Sequence, residues 1–413
     1  MKRNVTAALA ALILALVLCA PLHADIAFTT SDYTNGTLGR IGTVDGAFAV
    51  LGGGIANFGG DAIVHAYNYG NRMLVIERSA TGEDNIYVYD PDDLSKPIRN
   101  TTWTNVKNIY DVEYLFGYLY AISYDGKVVK VETNNFTKVD EWSFDNGALP
   151  EGYTAKGVAL AQLEGELFAL FTVADAAYPP TYRDSKLVNL SDALVRQRSV
   201  DLPENTHTLA TFGGKLYAAG WGGAQEVGAD AGASLVQRID IGTTTLTPVT
   251  LFSGTELGGG QVAAFCFGPN GQALLATHKY DDAFNATVKL HMIDTGLAVS
   301  SAKTLGKTLD GWSTSIVYDS ATDRFWVANA NGGNGPDQIM AFHTSDGAEV
   351  ANFSAAQLGG PAYSLAPVKR IDTADGGDDD GWSSGGGGGC AAGAYGFALL
   401  LCGYAALRKR ARA

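Results

Sequence analysis

The chain has 413 residues, of which 46% are hydrophobic, 10% aromatic and 17% charged. That apolar content excludes a disordered chain, and 51 glycines without a triplet period exclude collagen. An excess of 43 acidic over 29 basic residues, net −14, argues against a phosphate-binding surface, so no nucleic acid partner is expected.

Residues 1–24 read as an export signal. Lys2 and Arg3 precede the apolar run 7–20 (AALAALILALVLCA). Leu22-His23-Ala24 then presents a small residue at the cut, so the mature chain is expected to start at Asp25, outside the cytoplasm. Of Cys19, Cys266, Cys390 and Cys402, only Cys266 then belongs to the folded body, which leaves no internal disulfide. Its setting, Ala263-Ala264-Phe265-Cys266-Phe267, is that of a core strand.

Through residues 25–370 a short pattern recurs: a tight turn, two large apolar residues, then Ala or Val. The copies are Met73-Leu74-Val75, Leu119-Tyr120-Ala121, Leu167-Phe168-Ala169, Leu216-Tyr217-Ala218, Leu274-Leu275-Ala276 and Phe325-Trp326-Val327. The second copy shows a whole unit of four short strands, 110–116, 118–124, 127–133 and 138–144, separated by turn residues. Four antiparallel strands per roughly 50 residues is the unit of a β-propeller. A blade of that size cannot bury both of its faces alone, so blades stack around an axis.

Six copies are visible. One repeat length before Met73 lies Ala27, inside the apolar run Ile26-Ala27-Phe28. Strands at 25–30, 37–44 and 47–51, with one more at 363–368, would make a seventh blade sewn from both ends of the body. The expected fold is all-β, a seven-bladed β-propeller over 25–370, with six or eight blades left open.

In a propeller the first strand of every blade descends from the top rim along the central channel. Connections between blades, and the loops between second and third strands, share that top face. The long stretches 174–185, 222–233, 279–286 and 329–337 fall there, and long loops on a rigid scaffold are where binding residues gather. Residues near the starts of the inner strands are Asp61, Tyr110, Lys156, His207, Gln261, Trp312 and Tyr363, with Asp111 and Glu113 close by. They would line the channel mouth as a polar and aromatic ring, the furnishing of a pocket.

Motifs for chemistry are scarce. The histidines of the body, His65, His207, His278, His291 and His343, sit on different repeats without HxH or HExxH spacing. There is no GxSxG elbow and no acidic calcium loop. Gly52-Gly53-Gly54 and Gly258-Gly259-Gly260 open no helix that would cradle a phosphate. No cofactor is expected, and neither calcium nor zinc has a motif in its favour. The expected function is a non-catalytic module that binds an extracellular protein, peptide or glycan at the top of the channel. Two alternatives stay open. One is a lactonase-like or other metal-assisted hydrolase built on Asp61, Asp111, Glu113 and His207. The other is a structural component of the cell envelope.

Residues 371–389, including DTADGGDDDGWSSGGGGG, are too polar and Gly-rich to bury a core and are expected to form a tether of roughly 25 Å. Gly389-Cys390 follows, then the uncharged run 391–407 (AAGAYGFALLLCGYAAL) and the cluster Arg408, Lys409, Arg410 and Arg412. As a helix that run is roughly 25 Å long, enough for a thin bilayer, with the basic end in the cytoplasm. This order resembles the bacterial C-terminal sorting tails of the Synergist-CTERM type, with the GlyGly-CTERM and MYXO-CTERM tails as relatives. The resemblance covers about 30 residues, 382–412. It implies an intermediate anchored in the inner membrane and a membrane sorting protease that cuts near Gly389 and Cys390. The product would then pass to the cell surface or the medium. Without Lys2, Arg3 and the four terminal basic residues, 23 basic side chains face 43 acidic ones, a charge of −20.

Overall fold

The computed structural model describes residues 26–368 except 33–34, 53–56, 60–61, 68–71, 80–81, 92, 178, 284, 295–297, 312 and 331–336. Its strands form seven antiparallel sheets, six of four strands and one of five, and the architecture is a seven-bladed β-propeller. Blades 1 to 6 begin with the inner strands Ala62–Tyr67, Ile109–Leu115, Thr154–Leu163, Thr206–Phe212, Gln261–Phe267 and Ser313–Asp319. Blade 7 takes its inner strand, Ala362–Pro367, from the C-terminal side of the body. Its next three strands, Ile26–Ser31, Gly36–Val44 and Ala47–Gly52, come from the N-terminal side. Ala27 stands opposite Ala366, and Phe28 opposite Leu365. The blade sewn from both ends is therefore present, with strand limits within one residue of those read from the sequence.

The recurring pair of large residues lies on the second strand of each blade, and it works by alternation. Neighbours on a strand point to opposite faces of the sheet. Leu119 accordingly packs toward blade 1 with Leu74 and Ile86, while Tyr120 packs toward blade 3 with Leu167. Leu216 faces blade 3 and Tyr217 faces blade 5. Phe325 faces blade 5 and Trp326 faces blade 7. In blade 7, Ile26 faces blade 6 and Ala27 faces blade 1, which makes this run the seventh copy of the repeat. The core is thus a set of apolar layers between blades rather than one central mass. Cys266 lies in such a layer and is buried.

Polar side chains tie successive blades at the rim. Asp84 accepts the backbone N–H groups of Ser79, Asn108 and Ile109 at 2.8, 3.0 and 2.5 Å, the last two leading into blade 2. Ser185 Oγ accepts from Thr206 N at 2.9 Å, Ser234 Oγ from Val262 N at 2.7 Å and Ser364 Oγ from Val64 N at 3.0 Å. Each gives a donor of the next blade an acceptor in a setting where an unpaired group would be costly. On the opposite face the turns are tight. Phe116-Gly117, Glu164-Gly165 and Gly213-Gly214 each place two consecutive residues at positive φ, the geometry that matches the twist of a two-residue hairpin.

Between second and third strands the chain runs over 78–84, 124–126, 175–181, 221–234, 281–285 and 331–337 in blades 1 to 6. The blade 3 and blade 5 loops are shorter than the sequence reading because the strands run further, to Ala174 and Tyr280. Blade 1 carries a seven-residue loop that the reading does not single out. The expected site residues Asp61 and Trp312 lie outside the described residues. So do Ala24, Gly389, Cys390, the export signal, the tether and the apolar run 391–407. Among the described residues no helix is long and apolar enough to cross a membrane.

Candidate functional site

The inner strands do not meet the top rim as regular strands. In five of the seven blades the pairing of first and second strands skips one residue near the top. The skipped residues are Tyr110, Val158, His207, Ala263 and Tyr363. A bulge leaves its extra residue outside the ladder and re-aims the side chain. Three of the residues read from the sequence, Tyr110, His207 and Tyr363, occupy this position. Lys156 and Gln261 stand two residues before it in blades 3 and 5.

On blades 7, 1, 2 and 3 the side chains of the rim pile on one another. Arg78 Nη2 donates to Tyr363 Oη at 2.6 Å, and its guanidinium lies 4.6 Å over the Tyr110 ring. Tyr110 stacks on Tyr124 at 5.1 Å, and Lys156 Nζ lies 5.1 Å from the other ring of that pair, Tyr124. Arg78, Tyr110 and Tyr363 are buried, whereas Tyr124 and Lys156 keep part of their surface. Burial lowers the Lys156 pKa against the pull of Asp125. Tyr182, at the start of the third strand of blade 3, shares a hydrogen bond with Asn205 and feels the charges of Tyr124 and Tyr110. Its pKa is raised chiefly by burial.

Blades 4 and 5 continue the arc. His207 Nε2 lies 2.8 Å from Ala263 O and Nδ1 3.2 Å from Asn205 O. A neutral imidazole has one N–H, and the shorter contact takes it. Burial holds His207 below the usual histidine range. Trp221 meets the edge of His207 at 4.9 Å and faces His278 at 6.5 Å. Gln261 Nε2 donates to Trp221 O at 2.7 Å and Ala224 O at 3.1 Å. Burial, aided by His207, pushes His278 down to about 3.

Asp111 is buried one step below the rim. Its two carboxylate oxygens accept from Val112 N at 2.9 Å and from Leu160 N of blade 3 at 2.8 Å. Burial outweighs these donors and pushes its pKa up to about 7. His65 Nδ1 stands 3.7 Å away, too far for a good hydrogen bond, and burial pushes that ring down to about 4. Glu113, opposite Tyr120 across the sheet, is partly exposed. Among the described residues no group of three or more His, Cys, Asp or Glu side chains is placed to hold a metal ion. The ring of polar and aromatic residues is thus assembled on adjacent blades, but most of it is packed on itself. Sequence reasoning misses Arg78, Tyr124, Tyr182 and Trp221, which complete it.

No protein-family model and no curated protein matches the sequence. Solved structures share the fold. A putative 6-phosphogluconolactonase from Bacteroides fragilis aligns with a TM-score of 0.55 at 11% identity, over 85% of this chain and 99% of its own. The C-terminal WD40 domain of Sif2 aligns with a TM-score of 0.46 at 9% identity, over 84% of both chains. Apo AztD from Citrobacter koseri aligns with a TM-score of 0.44 at 12% identity, over 84% of this chain and 98% of its own. At such identities the likeness is one of fold alone, a β-propeller on which the site has to be argued from its own side chains.

Proposed function

We propose that the protein is an exported, surface-sorted binding module whose top face holds an extracellular protein, peptide or glycan without transforming it. The observation that carries this reading is what the chemical groups are doing. Asp111 and His207, two of the four residues a hydrolase would start from, spend their polar atoms on the backbone of their own and neighbouring blades. The part of the arc that keeps accessible surface is Tyr124, Lys156 and Tyr182 on blades 2 and 3. Beside it lies loop 175–181, held by Asp175, which accepts from Ala177 N at 3.1 Å and Thr181 N at 2.9 Å. Rigid aromatic side chains and a lysine fixed on a stiff ring are pre-organised for recognition. The export signal, tether and sorting tail read from the sequence would carry this ring outward, with the inner membrane and a sorting protease as partners on the way. No cofactor is assigned.

Peptide and glycan arrays probed with the purified chain and its Tyr182→Ala variant test the reading. The wild type is expected to retain a ligand that the variant binds at least about tenfold more weakly, with melting unchanged. Turnover of lactone or ester substrates, with melting raised by calcium or zinc, would overturn it in favour of a hydrolase. Assembly into ordered sheets with no array ligand would overturn it in favour of an envelope scaffold.

A further inference from the structure

We infer that the outer strand of blade 7, Ala47–Gly52, is the seam of a homodimer. The outer strand of a blade leaves one row of backbone N–H and C=O groups unpaired, and proteins guard such edges with charges or proline. The seven outer strands of this ring are seven trials of that rule. Their sequences are RNTT, KVDEWS, RQRSVDLPE, LTPVTLFS, KTLGKTLD and EVANFS in blades 1 to 6, and AFAVLG in blade 7. Six contain a charge or a proline. The strand of blade 7 contains neither.

Its surroundings are apolar as well. Leu51 is 46% exposed, and Val44, paired with Ala47 across the hairpin, is 47% exposed. On the other face Phe48 packs against Trp326 at 4.9 Å. There, Phe48 joins Val350, Ala351, Phe353 and Arg324 around a groove of about 500 Å³ between blades 6 and 7.

Charge and register point to a second copy as the occupant. The chain carries a net −14, so most faces of one copy repel another, and a partner chosen by charge would seek the acidic faces. An uncharged edge meets its own copy without that penalty. A two-fold axis through an antiparallel seam keeps every residue on its own face of the sheet. With Ala49 on the axis, Phe48 stands opposite Val50 of the second copy, and Ala47 opposite Leu51. Aromatic against β-branched and small against large are favourable cross-strand pairs. The two blades then form one continuous sheet, and the groove receives part of the second copy. Six residues and a groove fall short of the roughly 800 Å² per partner of a standard interface, so the dimer exchanges readily. This inference is independent of the ligand-binding reading.

Residues directly opposite across an antiparallel pair have Cα atoms about 4.5–5.5 Å apart, within reach of a disulfide. Mild oxidation of the purified full-length Ala49→Cys chain is expected to give a covalent dimer absent from the wild type, which carries the same native cysteines. Thr101→Cys on the outer strand of blade 1 is expected to cross-link no more than the wild type. In sedimentation equilibrium, Ala49→Lys sets like charges on the axis and is expected to weaken the dimer at least about tenfold, with melting unchanged. A wild type that stays monomeric up to about 100 µM, no covalent dimer above the wild-type level, or a dimer indifferent to Ala49→Lys would each overturn the inference.

Discussion

Replacing Arg78 by Met keeps most of the buried stem and removes the guanidinium that joins blades 7, 1 and 2. Two contacts are lost: a charged hydrogen bond to Tyr363 Oη at 2.6 Å and a cation–π contact at 4.6 Å over Tyr110. Charged hydrogen bonds contribute about 1.5–3 kcal/mol, and a desolvated cation–π contact about 2 kcal/mol. Against this, the cost of keeping a guanidinium out of water is relieved. Breaking a buried charge interaction by removing one partner costs about 3–5 kcal/mol net. Asp84, the acidic neighbour of Arg78, keeps three backbone donors and is not left bare, which places the expected loss near the lower end, about 3 kcal/mol. Tyr363→Phe, which removes only the hydroxyl, should cost less than half as much. The assay is urea unfolding followed by tryptophan fluorescence, with the slope compared as well as the midpoint. A Met variant within about 0.5 kcal/mol of the wild type, or more stable than it, would refute the role given to this pile as mortar between blades.

Acid should loosen the ring. Burial holds His65 at about 4, His278 at about 3 and His291 at about 4, below the roughly 6.5 of an unfolded chain. Depressed folded values mean that this stability is present above about pH 6.5 and is lost as the pH falls through 4 to 3. Asp111 acts the other way, because its value is raised to about 7: its share is present below about pH 4 and is lost as the pH rises through 7. Three imidazoles outweigh one carboxyl, so Tm should fall between pH 6 and pH 4, and a constant or rising Tm would contradict the burial of these rings. Gly39 lies opposite Phe28 in blade 7, and a Cβ there would overlap the buried Phe28 ring. Gly39→Ala should lower stability by about 1–3 kcal/mol in the same urea assay, and an unchanged midpoint would show that the ring lies elsewhere.

The fold is largely legible in the sequence because alternation is a local signal. A pair such as Leu119-Tyr120 must bury both members on opposite faces of one strand, and only a stack of sheets offers two buried faces. Ala27 is legible as the seventh copy for the same reason. The channel top is legible only in part. Tyr110, His207 and Tyr363 stand near the starts of apolar runs, but the bulges that re-aim them depend on pairing with a partner strand, which no local pattern encodes. Arg78, Tyr124 and Trp221 do carry a signal: each stands five residues after the first member of its repeat pair, Met73, Leu119 and Leu216. Composition also gives no sign that the ring would fold on itself. Whether a tyrosine faces water or lies between an arginine and another tyrosine depends on a side chain from the next blade.

Every position assigned to the top face depends on the ring being closed by its two ends, since that closure fixes which strand of each blade lies innermost. Ala27 and Ala366 are directly opposed in blade 7 and are buried in the same layer against blade 1. The most direct measurement is thiol titration of the Ala27→Cys/Ala366→Cys double variant after mild oxidation. Closure predicts that the two new thiols disappear together into an intramolecular bond, while each single variant keeps its own; the bond should add up to about 5 kcal/mol of stability by closing so long a loop. Two thiols that both stay free in the folded double variant would contradict the closed ring.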